Sequence, residues 1–334
     1  MKKRLIALFL LLAMCLSLMG CIRQDVQTPT ISTQPTTPTT PTEPVTPEPD
    51  PSAVSPILYK VTDKEGNVIW LFGSIHVGRE NFYPLPRYVM DAYEGSDALA
   101  VEFDLIAATE DSSEILTLYY STMYWDGTTI KDHIPQDLYE EAVQTMTDAG
   151  YYNASLDLFG PTMWTDLINE ITYEKVGVNT ELGIDMFFLN TAKEDGKEIQ
   201  EVESLEFQFN MSLNYSPELQ LLLLEEAIEE SKDIDAYREG LDEMLDLWSE
   251  GDETAFNEYL DEAPEFADDE EEALYNEYND AMVHSRNDSM TEFAEDALAS
   301  GKEVFICVGA AHVLGATGMA KQLRDLGYTV ELVK

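Results

Sequence analysis

Cysteine, histidine and positive charge are all scarce in this chain, and each scarcity excludes something. Three cysteines occur in 334 residues, at Cys15, Cys21 and Cys307. Cys15 falls in an N-terminal apolar leader and Cys21 at its end, so Cys307 stands alone in a buried-looking run. That rules out a disulfide framework and a cysteine-based metal cluster, and makes Cys307 a small core residue. Lys and Arg number 19 against 65 Asp and Glu, a formal net charge of −46. Such a balance argues against nucleic acid and against electrostatic docking on anionic lipid. The excess is concentrated: from Glu218 to Asp280 there are 25 acidic residues against Lys232 and Arg238. These read as solvated helix faces, since no Asp-x-Asp-x-Asp-Gly calcium loop accompanies them.

Long hydrophobic runs are also few. Residues 5–19 follow the basic start Met1-Lys2-Lys3-Arg4 and are too short to span a bilayer comfortably. They end in Leu18-Met19-Gly20-Cys21, the pattern of a bacterial lipobox. Residues 1–21 are therefore expected to be a lipoprotein signal, with Cys21 as the lipidated first residue of the mature protein. Residues 22–56 are dominated by Thr and Pro. They cannot bury enough apolar surface to fold and favour extended polyproline II geometry, reaching on the order of 100 Å at about 3.1 Å per residue. The expected picture is a domain of residues 57–334, held on a spacer at the extracytoplasmic face of a bacterial cell membrane.

That domain is expected to be mixed α/β, with β-α-β units at both ends forming a central sheet and a largely helical middle. It opens with a hairpin: Ile57-Leu58-Tyr59-Lys60-Val61 and Val68-Ile69-Trp70-Leu71-Phe72 flank the turn former Asp63-Lys64-Glu65-Gly66-Asn67. A helix over 86–94 and a buried strand over 98–103 follow. Helical spacing of apolar residues marks 135–149, 219–228 and 241–248, and a strand over 198–203 interrupts them. The close is a helix over 290–298, a strand over 304–308, a helix over 319–326 and a strand over 329–333.

Two of the four histidines share one context. Gly73-Ser74-Ile75-His76 ends the second strand, and Gly309-Ala310-Ala311-His312 ends Val304-Phe305-Ile306-Cys307-Val308. Ligands in α/β sheets tend to bind outside the carboxyl ends of strands, so His76, His312 and Glu102 are expected to gather there. Two imidazoles and a carboxylate suit a divalent ion of zinc, manganese or cobalt, on which a water has a lowered pKa. Glu203 is the candidate further ligand or general base. His133 and His284 are expected at the surface.

These residues resemble the TraB/GumN (TraB/PrgY/GumN) family, to which the Tiki metalloproteases are related. The resemblance rests on Trp70-Leu71-Phe72-Gly73-Ser74-Ile75-His76-Val77, Leu99-Ala100-Val101-Glu102-Phe103, Gly183-Ile184-Asp185, Gly196-Lys197 through Glu203 and Gln208, Arg286-Asn287, and Val308-Gly309-Ala310-Ala311-His312-Val313, followed by Gly327-Tyr328-Thr329-Val330. Phe103-Asp104 departs from the more usual aliphatic residues. The resemblance implies a fold akin to the erythromycin-esterase and ChaN-like group. It also implies a pocket built from the two Gly-x-x-His motifs, Glu102 and the Arg286-Asn287 pair, pointing to His76, Glu102, Arg286 and His312, with Asp185 and Glu203 beside it, in which Arg286 would orient the substrate. The implied activity is metal-dependent hydrolysis of a peptide or small-molecule substrate. Sequestration of a peptide signal without turnover, and metal-independent ester hydrolysis with His76 as base, are the alternatives.

Overall fold

The computed structural model describes residues 52–110 and 112–334. The expected leader, Cys21 and most of the Thr/Pro-rich spacer lie outside the described residues. Chain packing begins at Val54, a little before the expected boundary: Val54 is buried and the Ser55 N–H donates to the Ser249 carbonyl at 2.7 Å.

Among the described residues, six strands make one sheet: β1 (Leu58–Thr62), β2 (Val68–Ser74), β3 (Ala98–Val101), β4 (Glu198–Glu201), β5 (Val304–Gly309) and β6 (Thr329–Val333), in the order β4-β3-β5-β2-β1-β6. The hairpin pairs β1 with β2 antiparallel, Leu58 opposite Phe72 and Thr62 opposite Val68. Its turn is tied by the Asp63 carboxylate, which accepts the N–H groups of Glu65 and Asn67. The edge strand β6 pairs antiparallel with β1.

Four adjacent strands, β4, β3, β5 and β2, run parallel, with β4 at the other edge. The opening β-α-β unit, β2 through α1 (Arg87–Gly95) to β3, is split in space: β5, from the far end of the chain, inserts between its two strands. The register sets Gly73 opposite Val308 and Ser74 opposite Gly309. Both Gly-x-x-His turns therefore leave adjacent parallel strands at the same edge. β2, β3 and β5 are buried throughout or nearly so, as expected of strands covered on both faces.

The middle is helical: α2 (Leu105–Glu110), α3 (Ser112–Ser121), α4 (Gln136–Asp148), α5 (Pro161–Val176), α6 (Ile184–Asp195), α7 (Leu205–Leu213), α8 (Pro217–Lys232), α9 (Ile234–Glu250), α10 (Glu253–Asp261) and α11 (Asp269–Asn279). A separate apolar cluster joins α4, α5 and α8 through Ala142, Met146, Trp164, Ile168, Leu224 and Ile228. A π-helical turn, Asp280–His284, leads directly into α12 (Ser285–Ser300). The chain closes with α13 (Ala310–Val313) after β5 and α14 (Met319–Leu326) before β6. No helix of the described residues is long and apolar enough to cross a membrane.

Candidate functional site

The parallel pairing of β3 with β4 continues past the strands: the Val202 N–H donates to the Val101 carbonyl and the Glu203 N–H to the Glu102 carbonyl, both at 2.8 Å. This extension sets Glu102 and Glu203 side by side. Two buried carboxylates so close need positive charge, and Arg286 from the first turn of α12 supplies it. Its Nη2 donates to Glu102 Oε2 at 2.6 Å and to Glu203 Oε2 at 2.7 Å, and its Nε to Glu203 Oε1 at 2.9 Å. Nη1 donates to the Met282 carbonyl in the π-helical turn at 3.1 Å. Gln208 on α7 donates to both carboxylates, at 2.8 and 2.9 Å.

Arg286 is 2% exposed and its guanidinium faces these carboxylates, not open space. Burial alone would raise the Glu102 carboxyl. Arg286, together with the imidazoles and the Gly309 N–H, outweighs burial and holds it well below the usual carboxylate range.

The remaining oxygen, Glu102 Oε1, accepts the Gly309 N–H at 2.9 Å. It also faces both imidazoles: His76 Nε2 lies 4.0 Å away and His312 Nε2 3.9 Å away. Neither Nε2 atom has a hydrogen-bond partner, although His76 is 4% and His312 0% exposed. The opposite ring nitrogens are firmly held. His76 Nδ1 lies 2.7 Å from Asp185 Oδ2, and the other Asp185 oxygen accepts the Ser74 hydroxyl. His312 Nδ1 lies 2.7 Å from Asn287 Oδ1. Because the Asn287 amide nitrogen donates to the Thr317 carbonyl at 3.0 Å, its oxygen must face His312. An amide oxygen only accepts, so His312 carries its hydrogen on Nδ1 and presents a lone pair at Nε2.

The two imidazoles differ electrostatically because their partners do. Burial pushes His76 down, but the charge and hydrogen bond of Asp185 overcome this and raise it. Burial, reinforced by Arg286 and opposed by Glu102, pushes His312 down to about 3. His312 is thus neutral at any physiological pH.

Asp185 reaches His76 because two glycines let backbone segments meet. A Cβ on Gly78 would lie 2.0 Å from the Leu182 carbonyl oxygen, and one on Gly183 2.5 Å from that of His76. The Ile184 N–H also donates to the Ile75 carbonyl at 2.9 Å, which fixes the start of α6 against the first Gly-x-x-His turn.

Sequence reasoning thus named residues that converge: His76, His312, Glu102, Glu203 and Arg286 share one buried network. Asp185, expected beside the pocket, joins the network through His76, and Asn287, implied with Arg286, joins it through His312. Sequence reasoning gives Ser74 and Gln208 no role there. Gln208 closes a stretch already singled out, Gly196-Lys197 through Glu203 and Gln208, which was the available signal. His133 and His284 are exposed, as expected, with His133 stacked on Tyr124 and His284 against Asp280.

As the side chains stand, no three or more His, Cys, Asp or Glu groups among the described residues cluster tightly enough to hold a metal ion. The donor chemistry nevertheless fits one. Two imidazole nitrogens without partners face one carboxylate oxygen, each ring steadied through Nδ1 in the manner of metal-ligating histidines. Above them, a small cavity of about 40 Å³ is lined by Ser74, His76, Gly309 and Ala310.

The TraB/PrgY/gumN family pattern matches residues 57–332, and the chain belongs to that family. It is 28% identical to the uncharacterized protein YbaP of Escherichia coli (strain K12) over 159 residues, 47% of this chain and 56% of YbaP. It matches YbaP of Shigella flexneri to the same extent. The chain thus spans about half the length of the curated relatives it matches. No solved structure matches it.

Proposed function

We propose that this member of the TraB/PrgY/gumN family is a membrane-anchored, extracytoplasmic hydrolase of peptides. In this reading His76, His312 and Glu102 hold one divalent ion of manganese, cobalt or zinc. The observation that carries it is the pair of buried Nε2 atoms, both without partners and both facing Glu102 Oε1. Burying two such groups without a hydrogen bond costs free energy, and a shared cation removes that cost. When bound, such an ion polarises a carbonyl and lowers the pKa of water.

The chain's own residues do the rest. Asn287 keeps the His312 lone pair at Nε2, and Asp185 orients the His76 ring. Arg286 keeps Glu102 ionised at neutral pH. Glu102 Oε1, engaged only by the Gly309 N–H, would ligate the ion, while the depressed pKa of its carboxyl makes it a weak general base. Glu203, held at both oxygens by Arg286 and Gln208, neutralises the guanidinium and fixes its direction. Arg286 therefore acts as a positioning residue in this scheme, with the substrate-orienting role left to the open cavity.

The experiment is incubation of secreted peptide pools with purified protein, reading new termini by mass spectrometry. Cleavage that a chelator stops and Mn, Co or Zn restores, and that His76→Ala and His312→Ala lack, is the expected result. Peptides that co-purify uncut would point instead to a sequestering protein. Chelator-resistant ester cleavage would point to a metal-free hydrolase.

A further inference from the structure

Beside the small cavity at His76 lies a larger one of about 250 Å³. The two share Tyr259, Leu260 and Ala311, so they adjoin across these residues. The larger cavity is walled by apolar and aromatic groups, among them Tyr275, Val283 and Leu314. Its lining also carries Asp261 and Glu262, both exposed, and His284, which is held by Asp280; among the described residues no Lys or Arg lines it. Along the end of α10, Tyr259 and Leu260 line both cavities, whereas Asp261 and Glu262, next in the chain, line only the larger one.

The wall is anchored to the turn that follows His312. Gly315 N–H donates to Asn257 Oδ1 and Ala316 N–H to Asp261 Oδ1, both at 2.7 Å. Val283 and His284 come from the π-helical turn whose Met282 carbonyl holds Arg286. Single π turns inside helices are frequent at functional sites.

A volume of about 250 Å³ lies below the roughly 300–1,000 Å³ of pockets for whole drug-sized ligands. It suits one long side chain. Apolar and aromatic walls beside carboxylates match a side chain with an apolar stem and a cationic tip, and the chain's net charge of −46 favours approach of cations generally.

We propose that this cavity is a specificity subsite for lysine or arginine next to the bond that the centre acts on. The stem lies along Tyr259 and Leu260 and the charge meets Asp261 and Glu262. This rests on the hydrolytic reading above only for the word "bond"; the binding preference stands by itself. The test is calorimetric binding of three capped pentapeptides, acetyl-Ala-Ala-X-Ala-Ala-amide, to chelator-treated full-length protein, with X lysine, norleucine or glutamate. Lysine should bind roughly three- to tenfold tighter than norleucine, the range two largely exposed ion pairs supply, and glutamate weakest. Asp261→Asn with Glu262→Gln, which keeps the acceptor for Ala316 N–H, should abolish the lysine preference. Ala316→Trp, filling the cavity from an exposed position, should weaken lysine and norleucine peptides alike by at least tenfold. Equal affinities of lysine and norleucine in the wild type, no binding by any peptide, or a preference untouched by the paired substitution would overturn the subsite. Repeating the series with metal restored separates the two readings. Binding preference without cleavage removes the hydrolase and keeps the subsite, whereas cleavage without preference does the reverse.

Discussion

Arg286→Met should be the most informative single substitution in the buried network. It deletes the guanidinium that donates to Glu102 at 2.6 Å and to Glu203 at 2.7 and 2.9 Å, while keeping comparable apolar volume. Breaking a buried ion pair from one side leaves uncompensated charge and costs about 3–5 kcal/mol. That cost should depend on pH, with a sign fixed by Glu102. In the wild type its folded pKa is depressed, so its contribution is present above the unfolded value near 4.5 and lost as pH falls below it. Without Arg286, burial is the dominant influence and raises Glu102 above 4.5. The variant then takes up a proton on folding, and its deficit shrinks on acidification by up to about 1.4 kcal/mol per pH unit. Urea unfolding of wild type and variant at pH 8 and pH 5 measures this; the sequence pI near 4.1 makes lower pH a solubility limit. Arg286 also pushes down His76 and His312, so its loss favours their protonated forms and shrinks the acid deficit in the same direction, while groups away from the network cancel in the difference. The expected deficit is about 3–5 kcal/mol at pH 8 and smaller by about 1–2 kcal/mol at pH 5. Adding Glu203→Gln should recover at least about 1 kcal/mol, since one stranded charge disappears. A deficit under about 1 kcal/mol, or one equal at both pH values, would refute the reasoning.

Three further outcomes are expected. Burial and, secondarily, the charge of Glu226 raise Glu230 to about 8, and its Oε2 has no hydrogen-bond partner. A carboxyl so raised favours folding below pH 4.5 and loses that advantage as pH climbs toward 8, so Glu230→Gln should add about 2–3 kcal/mol at pH 8 and almost nothing at pH 5, read by urea unfolding. Asn287→Leu removes the acceptor for His312 Nδ1 and should weaken metal affinity about 10–100-fold, measured by competition with a chelating dye. Gly78→Ala forces a Cβ to within 2.0 Å of the Leu182 carbonyl, so Tm should fall by several degrees, whereas Gly66→Ala, open around its Cβ but strained at φ +91°, should cost about 1 kcal/mol.

Much of this was legible in the chain because the relevant signals are local. The β1–β2 hairpin, β5, α14 and β6 appear within a residue or two of their expected bounds, since alternation, turn formers and flanking glycines are short-range. Both Gly-x-x-His turns and Glu102 were legible for the same reason: each follows an apolar run. The insertion of β5 between β2 and β3 was not. Parallel pairing joins residues more than 200 positions apart, and nothing in either strand names its neighbour. Arg286 illustrates the same limit from the other side. Beside Asp288 it could pass for a surface helix residue, and its burial against Glu102 and Glu203 follows only once β4 lies next to β3. The π-helical turn that places it, and that walls the larger cavity, leaves no periodic signature in five residues.

The central claim is that His76, His312 and Glu102 form one metal-dependent centre. Its most direct test is metal content by plasma mass spectrometry, after dialysis of purified protein against Mn, Co and Zn in turn and removal of free ion. One of these ions should bind at one per chain, with stoichiometry lost in His76→Ala and in His312→Ala while His284→Ala keeps it. Metal at background level for all three ions, or a stoichiometry indifferent to His76 and His312, would contradict the account.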